Sequence, residues 1–166
     1  MVLHALAEYQ RLFEHARIAA RTTEMRGVAL EVMEVLVKFA PRLHGAVLYG
    51  TPVADTRIGV HLHSDETEAV SRFLLDRRVP FQLETAGGEG SGRNHPPPVY
   101  TCERRGMALA LTVLPLSALR QRPRSMLTGG PTPSLDLEAL RARFARDPGG
   151  LWIADLGIPL PPYPVR

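Results

Sequence analysis

Two histidines and two aspartates lie within one short stretch, LYGTPVADTRIGVHLHSDE, residues 48–66. The alternation of apolar and polar residues in RIGVHLH predicts a strand, and it places His61 and His63 on the same face. Histidine nitrogens at this spacing suit a metal ion, with Asp55 or Asp65 as an oxygen ligand. Neighbouring histidines also occur as ordinary surface residues, so both interpretations stay open.

The same stretch offers a second kind of site, for an anion. Arg57 lies on the strand face of the histidines, and its guanidinium could contact a phosphate through two parallel hydrogen bonds. Gly59 would let a ligand approach the backbone. Both histidines would gain charge as the pH falls through about 6.5 and would tighten anion binding. The candidate ligand-binding set is Gly50, Thr51, Arg57, Gly59, His61 and His63.

The apolar spacing near the N-terminus predicts two amphipathic helices, residues 3–21 and 23–40. Thr22 or Thr23 would cap the second helix. The next apolar run, GAVLYG at residues 45–50, predicts a short buried strand ending at Gly50.

Further elements follow with clear boundary signals. Asp65 and Glu68 form a capping-box pattern for a third helix, and Ser134 is the expected cap of a last helix. The Arg-Arg-Gly turn predicts a hairpin whose second arm, being nearly all apolar, is central in the sheet. The predicted helices and strands are the helices 66–78 and 134–146 and the strands 80–85, 99–104 and 107–115.

This order of elements predicts an α+β fold with a mixed β-sheet flanked by helices. Residues 1–148 would form a single domain, and residues 149–166 a proline-rich tail. The tail would either bind a groove on another protein through its LPPYP segment or pack across its own domain, led by Trp152. Residues 86–98, rich in glycine and proline, would be mobile.

The stretch from Glu24 to Phe144 resembles the minimal nucleotidyltransferase fold of the polymerase-β superfamily. In that family a strand ends in Gly-Ser or Gly-Thr, which Gly50 and Thr51 match, and the next strand carries Asp-x-Asp. The resemblance therefore implies a nucleotidyltransferase-like fold with its ligand site beside the second strand.

In that family three carboxylates hold two divalent ions that neutralise the triphosphate. The two aspartate positions fall on Arg57 and Gly59, and the third falls near Ala110, so none is acidic. The resemblance thus implies a catalytically degenerate protein that needs no cofactor. The alternative is an active enzyme with Mg²⁺ in a displaced site made of Asp55, His61, His63 and Asp65.

Composition narrows the possible partners. The chain has 166 residues, enough for one core, and its net charge of +3 is scattered along the sequence. Because arginine supplies every basic residue except Lys38, its abundance reflects genome composition, and we do not expect dedicated nucleic-acid binding. With one cysteine and no apolar run of about 20 residues, we expect a cytoplasmic protein without a membrane partner.

Two functions remain as hypotheses. The first is a non-catalytic nucleotidyltransferase-like protein that binds a phosphorylated ligand or a protein partner through Arg57. The second is a metal-dependent nucleotidyltransferase that uses the displaced site.

Overall fold

A computed structural model of the chain describes residues 2–84, 96–122, 124, 129–152 and 156. They form an α+β fold, as predicted, with helices packed on a six-stranded mixed sheet. The helices are α1 (Val2–Val35), α2 (Ala46–Tyr49), α3 (Thr67–Asp76) and α4 (Leu137–Arg146), with short 3-10 turns at Val37–Phe39 and Leu116–Leu119. The strands are β1 (Arg42–His44), β2 (Ile58–His63), β3 (Gln82–Glu84), β4 (Val99–Arg104), β5 (Met107–Leu114) and β6 (Leu135–Asp136).

The sheet has the strand order β3-β4-β5-β2-β1-β6. Strands β2 and β5 pair in parallel, whereas every other neighbouring pair is antiparallel. The predicted hairpin is confirmed: Arg105 and Gly106, both with positive φ, join β4 to β5 in a two-residue turn. β5 is central, as its apolar sequence predicted.

One face of the sheet forms the core. Alternate residues of β2, Ile58, Val60 and Leu62, are fully buried there. They pack with the buried residues of the C-terminal half of α1 and of α3, and with Leu140 of α4. The opposite face, which we call the open face, carries small and polar side chains that are half-buried or exposed. Its half-buried and exposed members are Arg42, His44, Gly59, His61, Gln82, Glu84, Val99, Thr101, Glu103, Ala108, Ala110, Thr112 and Asp136. His63 shares this face but is buried.

The prediction of two N-terminal helices was wrong, because α1 is one continuous helix of 34 residues. The hydroxyls of Thr22 and Thr23 donate to the carbonyls of Ile18 and Ala19, four residues earlier, at 2.8 Å in both cases. These side chains therefore bond within the helix instead of capping a new one.

The strand predicted at residues 45–50 was also wrong. The helical turn α2 occupies this place between Gly45 and Gly50, both with positive φ, and the strand β1 precedes it. The carbonyls of Val47 and Leu48 accept hydrogen bonds from the buried guanidinium of Arg26 at 3.0 and 2.9 Å. Arg26 thus satisfies carbonyls that the short helix leaves without a backbone donor.

Both predicted helix caps were displaced. α3 begins after Glu66 without a side-chain cap, and Asp65 instead accepts a hydrogen bond from the backbone of Leu116 at 3.0 Å. α4 is capped by Asp136, which accepts from the Ala139 N–H at 2.8 Å. Ser134 is buried, and its Oγ accepts a hydrogen bond from Arg42 of β1. Only α4 is therefore capped by an acidic side chain, two residues after the predicted cap.

The C-terminal segment contacts the domain through Trp152, which is buried and lies under the Arg26 guanidinium at 3.4 Å from its ring centroid. Of the two predictions for the tail, the packing of Trp152 on the domain is therefore the one observed. Residues 86–95 of the glycine-rich segment and 157–166 of the tail lie outside the described residues. No helix in the described part of the chain is both long and apolar enough to span a bilayer.

Candidate functional site

The register of the sheet determines which side chains are neighbours on the open face. His44 lies beside Gly59, and Arg42 beside His61, across the β1–β2 pair. Each set continues over β5, β4 and β3 as a row. The first row is His44, Gly59, Ala110, Thr101 and Gln82, and the second is Arg42, His61, Thr112, Val99 and Glu84. Small side chains thus form the middle of the face, with rings and charges on either side.

Two imidazole rings stack at one side of this face. The rings of His44 and His61 have centroids 3.8 Å apart and planes at 23°. A Cβ placed on Gly59 would lie 2.8 Å from the His44 ring, which is too close. Gly59 therefore makes room for His44, and the prediction that it admits a ligand to the backbone was wrong.

These histidines are held neutral. Burial lowers the pKa of His44 to about 4. Burial also lowers the pKa of His61 to about 3, with further contributions from the charges of His44, His63 and Arg42. The pKa of His63 is lowered by burial as well, although its ring donates to the Ala40 carbonyl at 2.8 Å. The expectation that His61 and His63 become charged near pH 6.5 was therefore wrong.

Arg42 is the cation nearest to the histidines along the second row. Its Nε donates to Ser134 Oγ at 2.7 Å and its Nη2 donates to the Ser134 carbonyl at 3.1 Å. Burial and the nearby charge of Arg122 lower its pKa, against the opposing effect of Asp136. Sequence reasoning missed both Arg42 and His44, and the only signal for them was the polar-apolar-polar alternation of Arg42, Leu43 and His44 in a three-residue strand.

Arg57 lies at the start of β2, where it was expected. Its Nη1 donates to Glu84 Oε1 at 2.9 Å, and both side chains are about half exposed, at 48% and 50%. Glu84 belongs to the edge strand β3, so the ion pair connects β2 to β3 over the intervening β5 and β4. The cation expected at this site is present but already has a partner, which a stronger anion would have to displace.

Gly50 and Thr51 do not form a turn at the end of a strand, because they follow helix α2. Gly50 has φ 90°, and a Cβ on it would lie 2.7 Å from the Gly150 carbonyl oxygen. Its small size therefore serves a close contact with the C-terminal segment, and Thr51 beside it is exposed.

The residues of the alternative metal site are not brought together. Asp55 precedes β2 and Asp65 follows it, so this six-residue strand, about 20 Å of extended chain, lies between them. Asp65 is also occupied by the Leu116 backbone. Among the described residues, no group of three or more histidine, cysteine and acidic side chains could hold a metal ion.

Comparison of this chain with protein-family models, with curated proteins and with solved structures gives no match.

Proposed function

We propose that the protein is a catalytically degenerate, nucleotidyltransferase-like binding protein, and that its open face holds a phosphorylated ligand. One observation supports this most strongly. The parallel pairing of β2 and β5 sets Gly59 directly beside Ala110, and Arg57 immediately precedes β2, two residues before Gly59. These are the three positions at which the resemblance expects metal-binding carboxylates.

The chemistry of these three side chains favours binding without transfer. Phosphoryl transfer depends on divalent ions to neutralise developing charge, and an arginine, a glycine and an alanine supply no oxygen ligand. Glu84 and Glu103, the two glutamates on the open face, lie on the other strands β3 and β4. The proposed role is therefore recognition of an existing phosphate.

Arg57 is the proposed contact for that phosphate. An exposed ion pair such as Arg57–Glu84 contributes only about 0–1 kcal/mol, so a dianion can replace the single carboxylate. The Thr112 hydroxyl in the middle of the face adds a hydrogen-bond donor, whereas the Thr101 hydroxyl already donates to the Gln82 carbonyl at 3.3 Å. Ala108 and Ala110 have short side chains, which leaves space for a ligand to lie on the middle of the face.

The Glu84→Gln variant should bind inorganic pyrophosphate about two- to fivefold more tightly than the unmodified protein, since it frees Arg57 from a competing carboxylate. Arg57→Ala should weaken binding by a similar factor, because the guanidinium is half exposed. Isothermal titration calorimetry at low salt measures both effects.

The matched control is Glu66→Gln, which removes the acid of another exposed pair, Arg72–Glu66, on helix α3. It makes the same change in net charge away from the open face and should leave affinity unchanged. Equal gains in the two glutamine variants would assign the effect to net charge alone and would contradict the role of Arg57.

A further inference from the structure

The N-terminal half of α1 lies outside the domain core. Residues 2–21, which we call the arm, are all exposed or half-buried, and complete burial starts only at Thr22. At 1.5 Å per residue the arm is about 30 Å long. An exposed helix of this length gains little stability from its own backbone and depends on packing of an apolar side.

The arm has such an apolar side. At 100° per residue, nine apolar residues fall within about 140° of the helix circumference, with no charged residue among them. These residues, which we call the stripe, are Val2, Ala5, Leu6, Tyr9, Leu12, Phe13, Ala16, Ala19 and Ala20. Its five large side chains, Val2, Leu6, Tyr9, Leu12 and Phe13, are between 50% and 76% exposed.

The stripe points away from the core that the rest of α1 covers. The buried residues of the C-terminal half, such as Met25, Ala29 and Val32, lie about half a turn round the helix from Tyr9 and Phe13. The domain's own core therefore cannot cover the stripe, and a second surface is needed.

The order of side-chain sizes indicates what that surface is. The large residues occupy the first two thirds of the stripe, and the last third, Ala16, Ala19 and Ala20, is all alanine. If two arms run antiparallel, Val2 of one lies opposite Ala19 and Ala20 of the other, Ala5 and Leu6 lie opposite Ala16, and Tyr9 lies opposite Leu12. Val2 and Leu6 then face alanines toward each end of the pair, and Tyr9 packs on Leu12 near its centre, so the side chains can interdigitate.

Charge along one edge of the stripe agrees with this pairing. Glu8 and His15 flank the same edge, one heptad apart, so an antiparallel pair brings Glu8 of each copy near His15 of the other. The His15 ring donates its Nδ1–H to the Arg11 carbonyl at 2.7 Å, which leaves Nε2 directed outward, toward the position that Glu8 of the other copy takes in this pairing.

The amount of surface is also sufficient. Each of the five large side chains exposes on the order of 100 Å². Two arms would bury on the order of 1,000 Å², the lower limit for a specific interface. A groove lies beside the part of α1 that Val2 of the second arm would face, and Val53 there is exposed. It is lined by Ile18, Ala20, Pro52, Val53 and Ala54 and by the charged residues Arg17, Arg21 and Glu24.

We propose that two copies of this chain associate through their arms, antiparallel and related by a two-fold axis near residues 10 and 11. Each stripe covers the other, and each Val2 end reaches the groove beside Val53 of the other copy. The contact is isologous, because every residue pair occurs twice.

Sedimentation equilibrium of the full chain at micromolar concentration tests the association. We expect a mass twice the 18.3 kDa of the chain. Leu6→Glu, in the stripe, should raise the dimer dissociation constant at least about tenfold. Leu3→Glu, the same change within one turn but off the stripe, should remain dimeric. A monomeric unmodified protein, whether free or bound to anionic lipid vesicles, or equal behaviour of the two variants, would overturn the proposal.

Oxidative cross-linking tests the antiparallel orientation, in a background with Cys102→Ser. Ala5→Cys and Ala16→Cys proteins should each form little interchain disulfide alone and should form a heterodimer when mixed. Efficient homodimer disulfides in the separate proteins would indicate parallel arms and contradict the proposed pairing. Circular dichroism of each variant, with the helix content of the unmodified protein, confirms that the domain is folded.

Discussion

Replacing Arg26 with methionine should lower the free energy of unfolding by about 3–5 kcal/mol, because three backbone carbonyls lose their hydrogen-bond donor. Arg26 is fully buried, and its guanidinium donates to three carbonyls, those of Val47, Leu48 and Pro148, at 2.9–3.0 Å. Methionine fills similar space but leaves these acceptors without a donor, each at a cost of about 1–3 kcal/mol. Burial of the guanidinium charge lowers the pKa of Arg26 to about 10, so removing that charge recovers some stability. This gain offsets only part of the loss.

Urea unfolding followed by circular dichroism measures the change, with Arg26→Lys as the matched comparison. Lysine keeps the charge, but its single ammonium group cannot reproduce the planar arrangement that reaches three carbonyls and stacks on Trp152. We expect the lysine variant to be destabilised by about 2 kcal/mol, less than methionine. A methionine variant as stable as the unmodified protein would show that α2 and the 148–152 segment do not depend on Arg26.

Lowering the pH from 6.5 to 4.5 should destabilise the protein by about 2–4 kcal/mol through His44 and His61. Their folded pKa values, about 4 and about 3, lie below the ordinary value of 6.5, so the unfolded chain takes up protons first as the pH falls. Stability from the neutral rings is therefore complete above pH 6.5 and is lost below it. Each ring contributes at most about 1.4 kcal/mol per pH unit, and the residual solvent contact of both rings reduces this.

Urea titrations at several pH values test this effect. His61→Gln removes one of the two neutral rings. As the pH is lowered, the stability of this variant should therefore fall about half as steeply as that of the unmodified protein. The same pH profile in His61→Gln and the unmodified protein would contradict the account of the stacked pair.

Sequence patterns predicted the elements whose burial follows directly from alternation or length. β2 alternates strictly and β5 is almost entirely apolar, so both strands and the hairpin before β5 were found at their observed places. The errors arose where a distant group decides local structure. Whether Thr22 caps a helix or bonds within one depends on the continuation of α1, and the run at residues 45–50 becomes helical where Arg26 binds its carbonyls.

The candidate site was predicted in part for the same reason. The alternation in β2 placed Arg57, Gly59 and His61 on one face, but it could not show that His44 from β1 fills the space above Gly59. The charge state of the histidines also could not be predicted from the sequence, since it depends on burial between neighbouring strands. Glu84, the partner of Arg57, lies three strands away in the sheet and 27 residues away in the chain.

Calorimetry of pyrophosphate binding in EDTA and again with excess Mg²⁺ tests the central claim most directly. If fixed positive charge on the open face replaces the divalent ions, the protein binds pyrophosphate in EDTA, and Arg57→Ala weakens that binding. Mg²⁺ should then leave the affinity unchanged or lower it, since the metal competes with Arg57 for the same oxygens. Binding that occurs only with Mg²⁺ would contradict the proposal.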